Sequence, residues 1–119
     1  MKKLHVHYKV AAALFVKASV LDDYKNGKSV ELRISSLDLE KLKVGDVIAL
    51  KSSIMCILRR ITAIRLHANF EAACLVEKYS DIFPGVTTEK EFRARVAEFY
   101  PDPERFIDKK VIAFTLTRL

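Results

Sequence analysis

Apolar positions along the chain recur with two different periods, and the places where the period changes mark its elements. Leu4, Val6 and Tyr8 alternate with His5, His7 and Lys9, which predicts an opening strand. From Val10 to Lys25 the interval lengthens to three or four through Ala13, Val16, Val20 and Tyr24, with Leu14 and Leu21 widening the stripe, and a single amphipathic helix is predicted. Gly27 follows as a left-handed stop. Alternation returns over Lys28–Ile34, predicting a strand, and Ser35–Leu42 reads as a short helix or turn.

In "KVGDVIAL" a Gly-Asp turn precedes a short apolar strand, and Ile54–Leu66 reads as a longer one pairing with it through a turn at Lys51–Ser53. Simple alternation along that longer strand sets Leu58, Arg60, Thr62 and Ile64 on one face against Ile57, Arg59, Ile61 and Ala63. Asn69 is placed to cap a helix over Phe70–Tyr79, and Phe83–Gly85 reads as a turn. Thr88 and Glu91 form a capping box for a helix buried through Phe92, Val96 and Phe99, which Tyr100–Pro101 ends. Val111–Leu116 closes the chain as a strand. About five strands and about three helices, not regularly interleaved, predict an α+β fold, a small open β-barrel with helices packed at its ends.

Length and composition leave that reading as one domain over residues 1–119. Half of the residues are hydrophobic, with only three glycines and three prolines, which excludes disordered and linker-rich classes. The first residues pair basic side chains with a short apolar run, yet Lys17 interrupts the run, so a secretory signal is not expected. No apolar run approaches the ~18 residues of a membrane span. Cys56 and Cys74 both fall within apolar patterns, predicting two buried free thiols and a cytoplasmic setting. The net charge of +6 is uneven: residues 1–60 hold 12 Lys and Arg against 6 Asp and Glu, whereas residues 61–119 hold 9 of each. Such a skew favours a polyanionic partner.

Candidate chemistry centres on "GKSVELR". Glu31 and Arg33, two apart on a strand, share a face, and Lys28 directly follows the flexible Gly27, which lets it turn into the same cleft. On the predicted Phe70–Tyr79 helix, Glu77 continues the inward face of Phe70, Ala73 and Cys74, so this acid either needs a cation or hydrogen-bond donors nearby or lies at the edge of the stripe and reaches solvent. Lys28, Glu31, Arg33 and Glu77 gathered at one place would position a phosphate, a base edge or a hydrolytic water; a cross-strand ion pair is the plainer alternative. Lys51, Arg59, Arg60 and Arg65 offer a phosphate-tracking patch or simply charged strand faces. Tyr24, Tyr79 and Tyr100 either stack on a base or sit in the core with the hydroxyl tethered. His5 and His7 share a strand face, but only His67 could complete a set of imidazoles, and neither a metal nor a cofactor is predicted.

At Lys28, Glu31 and Arg33 the chain matches the Lys-x-x-Glu-x-Arg part of the Gly-x-Lys-x-x-Glu-x-Arg signature of the ASCH (activating-signal-cointegrator homology) domain, with Gly27 directly before the lysine rather than one residue further away, and it resembles that family over nearly its whole length. "LKVGDVIAL", a basic strand, "NFEAACLVEKYSDIFPG", a helix running into "EFYP" and a closing strand follow in the family's order. The resemblance implies a PUA-like barrel with a cleft lined by Lys28, Glu31 and Arg33, and a role in RNA binding or RNA metabolism. It also implies an alternative: some short bacterial members are amidohydrolases of acetylcytidine that use a lysine, a threonine and a glutamate, and a few members are described as ribonucleases. Lys28 matches that lysine and Glu77 approximately the glutamate, whereas Glu31 stands at the threonine position, and Ser29 substitutes for it only in a register shifted by two. Expected catalytic residues, if the chain is an enzyme, are therefore Lys28, Glu31 and Glu77. A protein-interaction module is the third class compatible with the sequence.

Overall fold

The computed structural model describes residues 8–119. Its elements in chain order are β1 (Val10–Phe15), α1 (Ala18–Lys25), β2 (Val30–Ile34), α2 (Leu37–Glu40), β3 (Val47–Lys51) and β4 (Cys56–His67). These are followed by α3 (Phe70–Val76), α4 (Tyr79–Ile82), α5 (Glu89–Phe99), a 3-10 turn (Pro103–Arg105) and β5 (Val111–Thr117). The strands form one open sheet in the order β1-β3-β4-β5-β2. Only the β1–β3 pair is parallel. The edge strands β1 and β2 share no ladder; Arg33 Nη2 donates to the Phe15 carbonyl across the gap at 2.8 Å.

The α+β class holds, with five α-helices in place of about three. The predicted helix over Val10–Lys25 is instead a strand and a helix. The Ala-rich start has good helix propensity, but its backbone pairs with β3 from Val10↔Val47 to Phe15↔Lys51, and that tertiary ladder overrides local preference. Only the second half is helical, burying Val20, Leu21 and Tyr24 before Gly27 takes φ +106°. The strand predicted at Leu4–Tyr8 lies outside the described residues except for Tyr8, which is in no regular element. The helix predicted over Phe70–Tyr79 ends at Val76, because Glu77 turns extended (φ −77°, ψ 143°) before α4 begins. Asn69 and Thr88 cap their helices as expected, accepting from Ala72 N and Glu91 N.

Directly paired residues of an antiparallel ladder project to one face of the sheet, so register assigns each side chain to a side. Val30, Leu32 and Ile34 of β2 pair with Thr115, Ala113 and Val111 of β5, and this face packs on α3, α4 and α5 around Phe70, Phe83, Phe92 and Phe106. Phe92 is the hub, its ring 4.5 Å from Tyr79 and 5.7 Å from Phe83. Glu31 and Arg33 pair with Phe114 and Ile112 and so project to the opposite face, where α1 packs on Ile48, Leu50, Ile61 and Phe114.

A bulge between Ile61 and Ala63 breaks the alternation expected along β4. Beyond it Ile64 pairs with Phe114 on the α1 face, whereas Ala63, Arg65 and His67 pair with Thr115, Ala113 and Val111 on the other. One extra residue therefore moves Arg65 and His67 across the sheet, away from Arg59 and Ile61.

Candidate functional site

The four residues singled out around the signature do not meet. Lys28, Glu31 and Arg33 come together; Glu77 joins a separate cluster on the opposite face.

Gly27 lets the chain turn out of α1, and Lys28 N closes the turn by donating to the Asp23 carbonyl. The Lys28 side chain runs beneath α4, where Nζ donates to the Ile82 carbonyl at 2.8 Å. It lies 3.8 Å from Glu31 Oε1 and over the rings of Tyr24 and Phe83 at 5.5 and 5.4 Å. Glu31 is held at both oxygens: Tyr24 hydroxyl donates to Oε1 at 2.6 Å and Arg33 Nε to Oε2 at 2.7 Å. Lys28 and Glu31 are buried, at 7% and 5% exposure. Burial pushes the Lys28 ammonium below the ordinary lysine range, against the pull of Glu31 and Asp23. Burial, together with the neighbouring carboxylate, holds the Tyr24 hydroxyl well above the usual tyrosine range, so it remains a donor.

These groups lie at the base of a cleft of about 410 Å³ along the free edge of β2, between α1 and α5. Its walls are mostly apolar and aromatic, with Phe15, Phe83, Phe99, Tyr100 and Phe106 among them. The volume is in the range of small-ligand sites, and a few convergent polar groups in an apolar cleft are what such sites require. Lys28 Nζ makes one hydrogen bond among the described residues, and Arg33 Nη1 makes none. Both cations retain donors for a ligand.

Glu77 lines no part of this cleft. Arg65 grips it through Nε–Oε2 at 2.8 Å and Nη2–Oε1 at 2.7 Å, and His67 Nε2 lies 2.6 Å from Oε2. Arg65 Nη1 also donates to Thr115 Oγ1 at 2.9 Å. Burial alone would raise the pKa of this carboxyl, but the hydrogen bonds from Arg65 and His67 prevail and hold it below the usual range. The cluster pins the α3–α4 junction to β4. Since α4 ends on Ile82, Glu77 acts on the cleft only at second hand, as an anchor of the helix whose carbonyl receives Lys28.

The proposed basic patch divides as well. Register sets Lys51 and Arg60 on the face of Arg65, while Arg59 shares the α1 face with Ile48, its guanidinium 5.8 Å from the Tyr24 ring. Arg65 is committed to Glu77 and Thr115. Tyr24 and Tyr79 are tethered, to Glu31 and to the Cys74 carbonyl; Tyr100 lines the cleft. His5 and His7 lie outside the described residues. Cys74 is buried, its thiol pushed up to about 11, but Cys56 is exposed, contrary to expectation, because it sits beside the turn that closes the β3–β4 hairpin. No helix of the described residues is long and apolar enough to cross a membrane.

Sequence reasoning missed Phe15, Lys17, Phe83 and Phe99 as cleft residues. Phe15 and Lys17 disappeared into the predicted helix, whose period gave them no distinct face. Phe83 and Phe99 carry only the signal of core positions.

No family model and no curated protein matches the chain. A crystal structure described as hypothetical protein PH0355 is similar over 91% of this chain and 98% of its own, with a TM-score of 0.74 at 20% sequence identity. The solution NMR structure of protein PF0455 from Pyrococcus furiosus matches over 90% of this chain and 96% of its own, with a TM-score of 0.60 at 22% identity. The chain has the α+β fold of these two proteins.

Proposed function

We propose that the chain is an ASCH-like domain of the PUA-like superfamily whose cleft binds RNA or a nucleotide-like ligand through Lys28, Glu31 and Arg33. One observation carries this reading: a buried ammonium and a buried carboxylate, both with remaining hydrogen-bond capacity, lie at the base of an aromatic-walled cleft. Aromatic walls accept the faces of a base, and a donor beside an acceptor reads its edge. Lys51 and Arg60 add cationic surface for a phosphate backbone.

The lowered pKa of Lys28 favours a second reading, a hydrolase acting on a modified nucleoside or on RNA. A lysine that loses its proton more readily takes a proton from a water as the water oxygen bonds to the acyl carbon or phosphorus, and the adjacent Glu31 passes that proton to the leaving nitrogen or oxygen as its bond breaks. Such a mechanism uses Lys28 and Glu31 without Glu77, which is engaged elsewhere.

Calorimetric titration with single-stranded RNA and nucleotides, beside product analysis on acylated nucleosides and RNA, separates the readings. Binding that Lys28→Met abolishes, with no product formed, supports the binder. Product formation that Lys28→Met and Glu31→Gln both abolish supports the hydrolase. Neither binding nor turnover by the unaltered protein overturns both.

A further inference from the structure

The mouth of the cleft has a construction of its own. Phe15 belongs to its wall and is 75% exposed, so a face of its ring is open to a ligand while its backbone is fixed. The fixing is twofold: the Phe15 carbonyl accepts from Arg33 Nη2 at 2.8 Å, and the next amide, Val16 N, donates to the Lys51 carbonyl at 2.8 Å. Arg33 also holds Glu31 through Nε, so one guanidinium ties the exposed ring to the buried acid at the cleft base. Two residues on, the exposed Lys17 also lines the cleft, with its ammonium over the Phe99 ring at 4.9 Å and 3.3 Å from the Glu98 carbonyl. Lys17 makes no salt bridge with a carboxylate among the described residues, and Arg33 Nη1 is without a hydrogen-bond partner among them.

We infer that Phe15 and Lys17 clamp a single phosphorylated nucleoside unit at this mouth, the ring of Phe15 stacking on the base and the ammonium of Lys17, beside Arg33, pairing with the phosphate. The inference rests on the proposed nucleotide-binding reading of the same cleft. The occupant follows from three features. A cleft of about 410 Å³ admits one nucleotide and excludes a duplex. An exposed, pre-positioned ring offers a platform with little ordering cost. Cations at the rim rather than only at the base call for an anionic group on the outer part of the ligand. Arg33 is a positioning residue in this clamp as well as a phosphate contact, because it fixes the distance between base-reading and phosphate-reading parts.

The test is a calorimetric titration with the four ribonucleosides, their 5′- and 3′-monophosphates, and a five-nucleotide RNA bearing a terminal phosphate. At least one monophosphate is expected to bind tenfold or more tightly than its nucleoside. Lys17→Ala removes most of that difference and leaves nucleoside affinity unchanged. Phe15→Ala weakens nucleoside and nucleotide alike by about tenfold, in keeping with the loss of one stacking contact; because the ring is exposed, the fold is retained, as unchanged thermal unfolding would verify. RNA binding tighter than that of the free monophosphate identifies a chain end as the occupant, and weaker binding identifies a free nucleotide. Affinity that needs Lys28 but is indifferent to Phe15 and Lys17 overturns the clamp while the proposed function stands. No binding of any ligand by the unaltered protein overturns the proposed function and the clamp with it.

Discussion

Two buried glutamates on opposite faces of one sheet are handled differently. Glu77 is saturated: a bidentate guanidinium and an imidazole close both oxygens, and it lines no part of the cleft beside Glu31. Glu31 is also held at both oxygens, by Tyr24 and Arg33, but its cluster stays open on one side, with Lys28 at 3.8 Å and a cleft beyond. Buried charge with its partners complete is architecture. Buried charge that retains donors beside a cleft is placed to recognise something, since burial without full pairing costs stability that only another use repays. The difference also explains why α4 matters, as it spans the two clusters and carries the carbonyl that holds Lys28 in place.

Removing one member of each cluster sharpens the contrast. Glu77→Ala leaves the partly buried Arg65 without its counter-charge and the buried His67 without its hydrogen-bond partner, and a loss on the order of 3 kcal/mol is expected in urea unfolding. Lys28→Met leaves the Ile82 carbonyl without its donor, but Tyr24 and Arg33 still hold Glu31, so a smaller loss of stability than for Glu77→Ala is expected, while ligand affinity drops at least tenfold, about 1.4 kcal/mol. The reverse pattern, a silent Glu77→Ala and an unfolded Lys28→Met, would erase the distinction between the two clusters.

Acid titration gives a smaller effect. The Glu77 carboxyl is held below its unfolded value of about 4.3, so its contribution is complete above that pH and is lost as pH falls through the depressed value. Glu77→Gln is expected to flatten this acid limb of stability, and an unchanged limb would show that Arg65 and His67 do not stabilise the ionised form. The smallest effect belongs to the exposed strand face. Lys51→Ala with Arg60→Ala is expected to lower the slope of log affinity for RNA against log salt by about 2, with the nucleotide affinity of the cleft retained.

Most of the strands and the caps of α3 and α5 were legible because they rest on local signals: alternation in "VELRI", Asn69 and Thr88, the glycine after Lys25. The signature residues were legible too, since two residues of a strand must share a face. What escaped depended on partners distant in the chain. Val10–Phe15 reads as helix until β3 offers its edge. Ala63 reads as sharing a face with Arg59 and Ile61 until the bulge after Ile61 inverts it, together with Arg65 and His67, and that bulge leaves no glycine or proline in the sequence. Glu77 takes the buried one of the two positions open to it in the sequence, and its donors come from β4 rather than β2.

Nitrogen-15 NMR of the labelled protein, titrated with a nucleoside monophosphate and compared with Lys28→Met, tests the cleft most directly. Saturable shifts concentrated at Phe15–Lys17, Lys28–Arg33 and the end of α5, and lost in the variant, are predicted. Shifts confined to the Lys51 and Arg60 face, or unchanged by Lys28→Met, would contradict the assignment of the open cluster as the binding site.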